Sequence, residues 1–259
     1  MTGLISILTE LAGVGQDLIW STFLVFLRVG AAMALLPAFG EQSVPHRVRL
    51  ILALCFTSVV APAVSSRVAP LEGMLVLPLL TEVTAGLALG ISLRLFILAL
   101  QTAGAMAAQS ASLSQLFAGA GPEPQPAMAN LFTVAGLALA VMAGLHVRAA
   151  QLLILSYDFL PPGHVPLAAD LADWGLWQIT RAFSLAFSLA APFVIASLIY
   201  NVALGVINRA MPQLMVVFVG APALTFGGLL LLAIATPLIL IVWMQAFGDF
   251  LDAPFAVLP

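Results

Sequence analysis

The sequence predicts an all-α fold, a membrane-type bundle of about six long, Pro-kinked apolar helices with helical hairpins and a broken internal segment. Three observations predict it. First, of 259 residues 63% are hydrophobic and 7% charged, with a mean hydropathy of +1.16. A soluble domain is about 25% charged, so lipid or a large assembly has to cover these apolar faces. Second, runs such as 227–245 are unbroken, whereas barrel strands would alternate apolar and polar residues. Third, clusters of Pro, Gly and charge punctuate the chain at intervals that suit spans of about 20 residues. Residues 1–259 therefore read as a single helical membrane-type domain.

The elements follow from that punctuation. Residues 18–40 form the first apolar segment, and the polar turn EQSVPHRVR (41–49) ends it. Residues 50–64 form the second, closed by Ser65, Ser66, Arg67 and Pro70. The third, 74–100, is long enough to span with tilt or a bend. The stretch 101–128 is rich in Ala, Ser, Gln and Gly and ends in GPEPQP, too weakly apolar for a lipid-facing span. Its part 107–121 is expected to be an internal loop or broken helix. Residues 129–155 make the fourth segment, and 158–173 the longest polar loop, with three Asp. The fifth, 176–206, is broken at Pro192, and the sixth, 214–247, at Pro222 and Pro237, because proline removes a helical hydrogen bond. Residues 208–213, NRAMPQ, join these two as a hairpin turn.

The basic residues are eight arginines with no lysine, and the net charge is −3, which argues against nucleic acid. Arg47 and Arg49 in one turn and Arg209 in another place both turns on the cytoplasmic side by the positive-inside rule. Residues 1–17 carry Glu10 and Asp17 and no positive leader, unlike a cleaved signal peptide. Small residues spaced by four, at Gly86 and Gly90, at Gly136, Ala140 and Gly144, and at Ala182, Ala186 and Ala190, suit close helix packing within the chain or against partners.

Arg28, Glu82, Arg94 and Arg148 stand inside apolar segments, as does Arg181. A charge at mid-bilayer costs roughly 2.5–3.5 kcal/mol on insertion scales, so the first four are expected to face protein and find polar partners. An ion or proton relay is the sharper functional reading of the same charges. The three histidines are scattered, and there is no HExxH, CxxC, GxSxG, Walker or GxGxxG pattern. No catalytic site, metal or cofactor is expected. The residues alone reach a helical membrane component; a solute or ion secondary transporter is the alternative, suited by Pro-broken helices.

Three ordered blocks carry a resemblance. FLRVGAAMALLPAFGEQSVPHRVRLILAL (26–54) contains Arg28, Pro37, Val44, Pro45, Arg47, Val48 and Arg49. EVTAGLALG (82–90) precedes QTAGAMAAQSASLSQLF (101–117), with Ala103, Gly104 and Gln109. The third block pairs an R-x-x-P-Q turn, Arg209, Pro212 and Gln213, with Val217, Phe218 and Gly220. Together they resemble the FliR/SctT family, the export-gate subunits of flagellar and injectisome type III secretion. The resemblance implies a non-catalytic structural and gating subunit of the bacterial inner membrane, in the flagellar basal body export apparatus. It implies FliP-like and FliQ-like partner subunits, a FlhB-like protein at the cytoplasmic side, membrane lipid, and unfolded export substrates passing through. It also implies a FliP-like first part, about 18–157, and a FliQ-like helical hairpin, about 174–250. Leu116 and Phe117, with Met106, become the expected pore plug; Arg209, Pro212 and Gln213 become the expected cytoplasmic turn contact.

Overall fold

The computed structural model of the chain describes residues 2–41, 43–68, 76–111, 127–164, 168–211 and 216–255. These residues form seven helices: α1 (Thr2–Leu35), α2 (His46–Val64), α3 (Val76–Ala111), α4 (Ala127–Met142), α5 (Leu145–Phe159), α6 (Ala168–Ala210) and α7 (Val216–Asp252). Five are long and apolar enough to cross a membrane, and α4 with α5 form a bent pair that makes a sixth candidate span. The all-helical, multi-span class read from composition is the observed one.

Several boundaries differ from the sequence reading. Helix α3 continues through 101–111, so residues 107–111 of the expected loop are helical. Ala103 and Ala107 are fully buried there, and Ser110 Oγ returns its hydrogen bond to the Ala107 carbonyl at 2.8 Å. A stretch too polar for lipid is a good helix when protein covers it. The remainder of that expected loop, 112–121, lies outside the described residues. Pro192 sits inside α6, and Pro222 and Pro237 inside α7, without dividing either helix. In a spanning helix neighbouring groups can re-satisfy the carbonyl that proline frees. Asp170 and Asp173, expected in a loop, lie in the first turns of α6, where acidic groups complement the helix dipole.

One break went unread. Residues 129–155 are not continuous: α4 ends at Met142 and α5 begins at Leu145, with Gly144 between them at φ 80°. That left-handed conformation is cheap for glycine alone. A Cβ on Gly144 would meet open space, so this glycine serves the backbone and not helix packing.

The chain forms two compact units, each from several pieces of sequence. The first holds residues 1–94, 144–177 and 253–259. Its core includes Leu24, Val29 and Met33 of α1, Val60 and Val64 of α2, Leu89 of α3 and Leu152 of α5. Gly86 and Gly90 set the approach of α1 to α3. A Cβ on Gly86 would collide with the Arg28 carbonyl, and one on Gly90 would lie 2.9 Å from the Ala32 carbonyl oxygen. The second unit holds residues 95–143 and 178–252. Trp243 is fully buried in it and donates from Nε1 to the Phe96 carbonyl at 2.8 Å. Its ring stacks on Phe247 at 5.1 Å, and Phe96 meets Phe247 and Phe250 at 5.4 and 5.2 Å. Gly136 packs under Leu100 and the Trp243 ring, and Gly104 against the Ala129 backbone. Small residues of this kind let helices touch where lipid provides no hydrophobic drive for association.

Candidate functional site

The densest polar constellation lies inside the first unit, around Arg28. Glycine at position 86 draws α3 onto α1 at the Arg28 backbone, and Glu82 stands one turn earlier on the same face. Arg28 and Glu82 are both fully buried. The guanidinium donates from Nε to Glu82 Oε2 and from Nη2 to Oε1, each at 2.8 Å, a two-pronged pair. Helix α5 completes the shell. Arg28 Nη1 donates to Ser156 Oγ at 3.0 Å, and Nη2 donates to the Leu160 carbonyl at 2.7 Å, just past the helix end. Tyr157 donates to Glu82 Oε2 at 3.0 Å while its ring lies 3.7 Å under the Arg28 guanidinium carbon. Gly163 N–H donates to Thr81 Oγ1 at 3.2 Å, so the turn after α5 is held to α3 by this bond and to α1 by the Arg28–Leu160 bond.

This arrangement is closed. Four of the five N–H groups of Arg28 have named acceptors, and its charge is balanced in place. Such a cluster fixes which faces of α1, α3 and α5 meet. An ion relay would need an ionisable group open to a permeation path, which a pair engaged on this many sides does not offer.

The other charges divide by unit. In the first, Arg94 forms an ion pair with Glu41, both partly exposed, linking mid-α3 to the turn after α1. Arg49 donates to the Glu41 carbonyl at 2.9 Å. Arg67 pairs with Asp158 at 3.2 Å on the surface, where such pairs contribute little. Arg148 of α5 is half-buried. In the second unit Arg181 donates to the Ala246 carbonyl at 3.1 Å and lies 5.6 Å from the Phe96 ring centre. Tyr200 donates to the Gly220 carbonyl at 2.5 Å, tying α6 to α7. A cavity of about 330 Å³ lies beside it, lined by Phe193, Leu224 and Ile234 with Ser110 of α3.

Of the residues singled out from sequence, Arg28 and Glu82 come together, while Arg94 lies in a separate pair. Met106 is half-buried on α3. Leu116 and Phe117 lie outside the described residues, as do Pro212 and Gln213. Arg209 is exposed in the last turn of α6, where a cation suits the carbonyl end of a helix. Sequence reasoning missed Ser156, Tyr157 and the Leu160 carbonyl. A serine and a tyrosine side by side in an apolar segment were the available signal. Among the described residues no three His, Cys, Asp or Glu side chains converge on a possible metal site.

Fold and site together define a multi-span helical membrane protein whose polar groups are spent on holding helices together. Comparison with known proteins narrows the class. Residues 19–250 match the description of bacterial export proteins, family 1. The flagellar biosynthetic protein FliR of Caulobacter vibrioides is 34% identical over 236 residues, covering 88% of this chain and 93% of that protein. FliR of Escherichia coli is 31% identical over 224 residues, 84% of each chain, and FliR of Bacillus subtilis 26% over 250 residues, 90% of this chain and 92% of that one. This chain belongs to bacterial export protein family 1, the FliR family.

Proposed function

We propose that this chain is a non-catalytic structural and gating subunit of the flagellar protein export gate, helping to form the channel through which unfolded substrates cross the inner membrane. The family match supports the export role. The observation that carries the subunit reading is the outward apolar surface of α6 and α7. Phe183, Phe187, Leu198, Ile199, Phe226 and Ile234 are each more than half exposed, and only 11% of an apolar 18-residue window within Pro222–Asp252 is buried within the chain. Those faces need lipid or other subunits against them.

On this reading residues 18–157 are the FliP-like part and 174–250 the FliQ-like hairpin, and FliP-like and FliQ-like chains cover the exposed faces. Arg209, Pro212 and Gln213 form a cytoplasmic contact for a FlhB-like protein. Leu116 and Phe117, helped by Met106, close the pore, since a hydrophobic constriction can gate by dewetting. Two experiments test this. Expressed alone, the chain should aggregate or exchange poorly into detergent, and co-expression with FliP-like and FliQ-like subunits should yield one stable complex; a well-behaved monomer indifferent to them would overturn the subunit reading. In the assembled complex, L116A/F117A should raise ion conductance across the membrane. Unchanged conductance with assembly intact would remove the plug and leave the subunit reading standing.

A further inference from the structure

We propose that a groove between α1 and α2 holds an anionic phospholipid, with an acyl chain along its floor and the phosphate at the start of α2. The groove encloses about 360 Å³, within the range of small-molecule sites. Phe26, Leu27 and Met33 of α1, Leu50 and Ala53 of α2 and Val83 of α3 give it an apolar wall along its length. Gly30 of α1 leaves the floor open, because a Cβ built there would meet nothing within 4 Å.

The mouth of the groove has the opposite character. His46 and Arg49 line it, both in the first turn of α2. Among the described residues no carboxylate lines the groove. Glu41, the acid of the adjoining turn, is engaged by Arg94. Arg49 spends Nη2 on the carbonyls of Glu41 and Val44, at 2.9 and 3.4 Å, and its Nε is buried with no acceptor among the described residues. The N-cap residue of helix α2 is Pro45, which gives no side-chain cap, so among the described residues its first N–H groups have no capping side chain. An arginine and open helix N–H groups at one end of an apolar trough complement a phosphate carrying a hydrocarbon tail. A small soluble anion would leave the trough unused, and a neutral lipid would leave the basic mouth unmatched.

The test uses the full chain and two lipids with the same palmitoyl and oleoyl chains, phosphatidylglycerol and phosphatidylcholine. Retained lipid is counted by native mass spectrometry after delipidating exchange. One arginine near an anionic headgroup should give roughly a fivefold preference for phosphatidylglycerol. Arg49→Gln, which removes the arginine lining the mouth, should reduce that preference by about the same factor. Gly30→Leu should fill the trough and lower retention of both lipids. A phosphatidylglycerol analogue with a photoreactive group in its acyl chain should label the α2 peptide that contains Leu50 and Ala53. This labelling keeps the proposal testable if Gly30→Leu misfolds. Equal retention of the two lipids, full retention by a folded Gly30→Leu, or labelling confined to other helices would overturn the assignment. Labelling that disappears when the chain assembles with FliP-like and FliQ-like subunits would overturn it too, by giving the groove to a protein neighbour. None of these readouts depends on export activity.

Discussion

Replacing Glu82 with alanine strands the Arg28 guanidinium in a site closed to solvent. The substitution removes the acceptors of Arg28 Nε, of one Nη2 bond and of the Tyr157 hydroxyl, leaving Arg28 with Ser156 and the Leu160 carbonyl. Breaking one side of a buried ion pair costs about 3–5 kcal/mol. The lower end is the better expectation here, because a chain unfolded within a membrane also finds polar partners. About 3 kcal/mol is roughly two decades in the folding equilibrium. The double replacement R28M/E82L removes both charges and keeps the volume. It still leaves the Leu160 carbonyl and the Tyr157 hydroxyl without these partners, each at about 1–3 kcal/mol if no other group or water replaces them. The double variant should therefore cost about as much as Glu82→Ala alone, and less than the two single losses added together. Equilibrium unfolding in mixed micelles, followed by the fluorescence of the four tryptophans, measures this cycle. Strictly additive losses, or a Glu82→Ala protein as stable as the parent, would refute the view that the pair locks α1 to α3.

Three further outcomes are expected. Gly86→Leu should cost as much as Glu82→Ala and add little to it, because a side chain there pushes α1 from α3 and opens the same pair; the same unfolding assay reads it. Gly144→Ala should cost about 1–2 kcal/mol through its φ of 80° alone, whereas Gly175→Ala, in α6 with open space around it, should gain up to about 1 kcal/mol, a contrast that thermal unfolding resolves. Arg209→Cys should react with a membrane-impermeant maleimide from the cytoplasmic face, and reaction only from the outer face would reverse the proposed orientation.

The sequence by itself determined the class. Sparse charge and long apolar runs leave the backbone one economical solution, helices whose hydrogen bonds are internal. Ordered blocks around Arg28, Glu82 and Arg209 also carried the family resemblance. Short-range signals failed where one residue type serves two purposes. Gly144 extends a small-residue series at spacing four, yet its role is a left-handed backbone between α4 and α5. Pro192, Pro222 and Pro237 read as breaks but lie within continuous helices, because the cost of a lost hydrogen bond depends on what surrounds it. Pairing was beyond local reading altogether. Arg28 and Glu82 are 54 residues apart, and Ser156 is 128 from Arg28, so no periodicity relates them. Only the tertiary structure decided that Arg28 meets Glu82 and that Arg94 meets Glu41. A charge in an apolar span has to be neutralised by whatever the helix packing brings within reach, and that packing is set by Gly86, Gly90 and the buried faces of α1, α3 and α5 acting together.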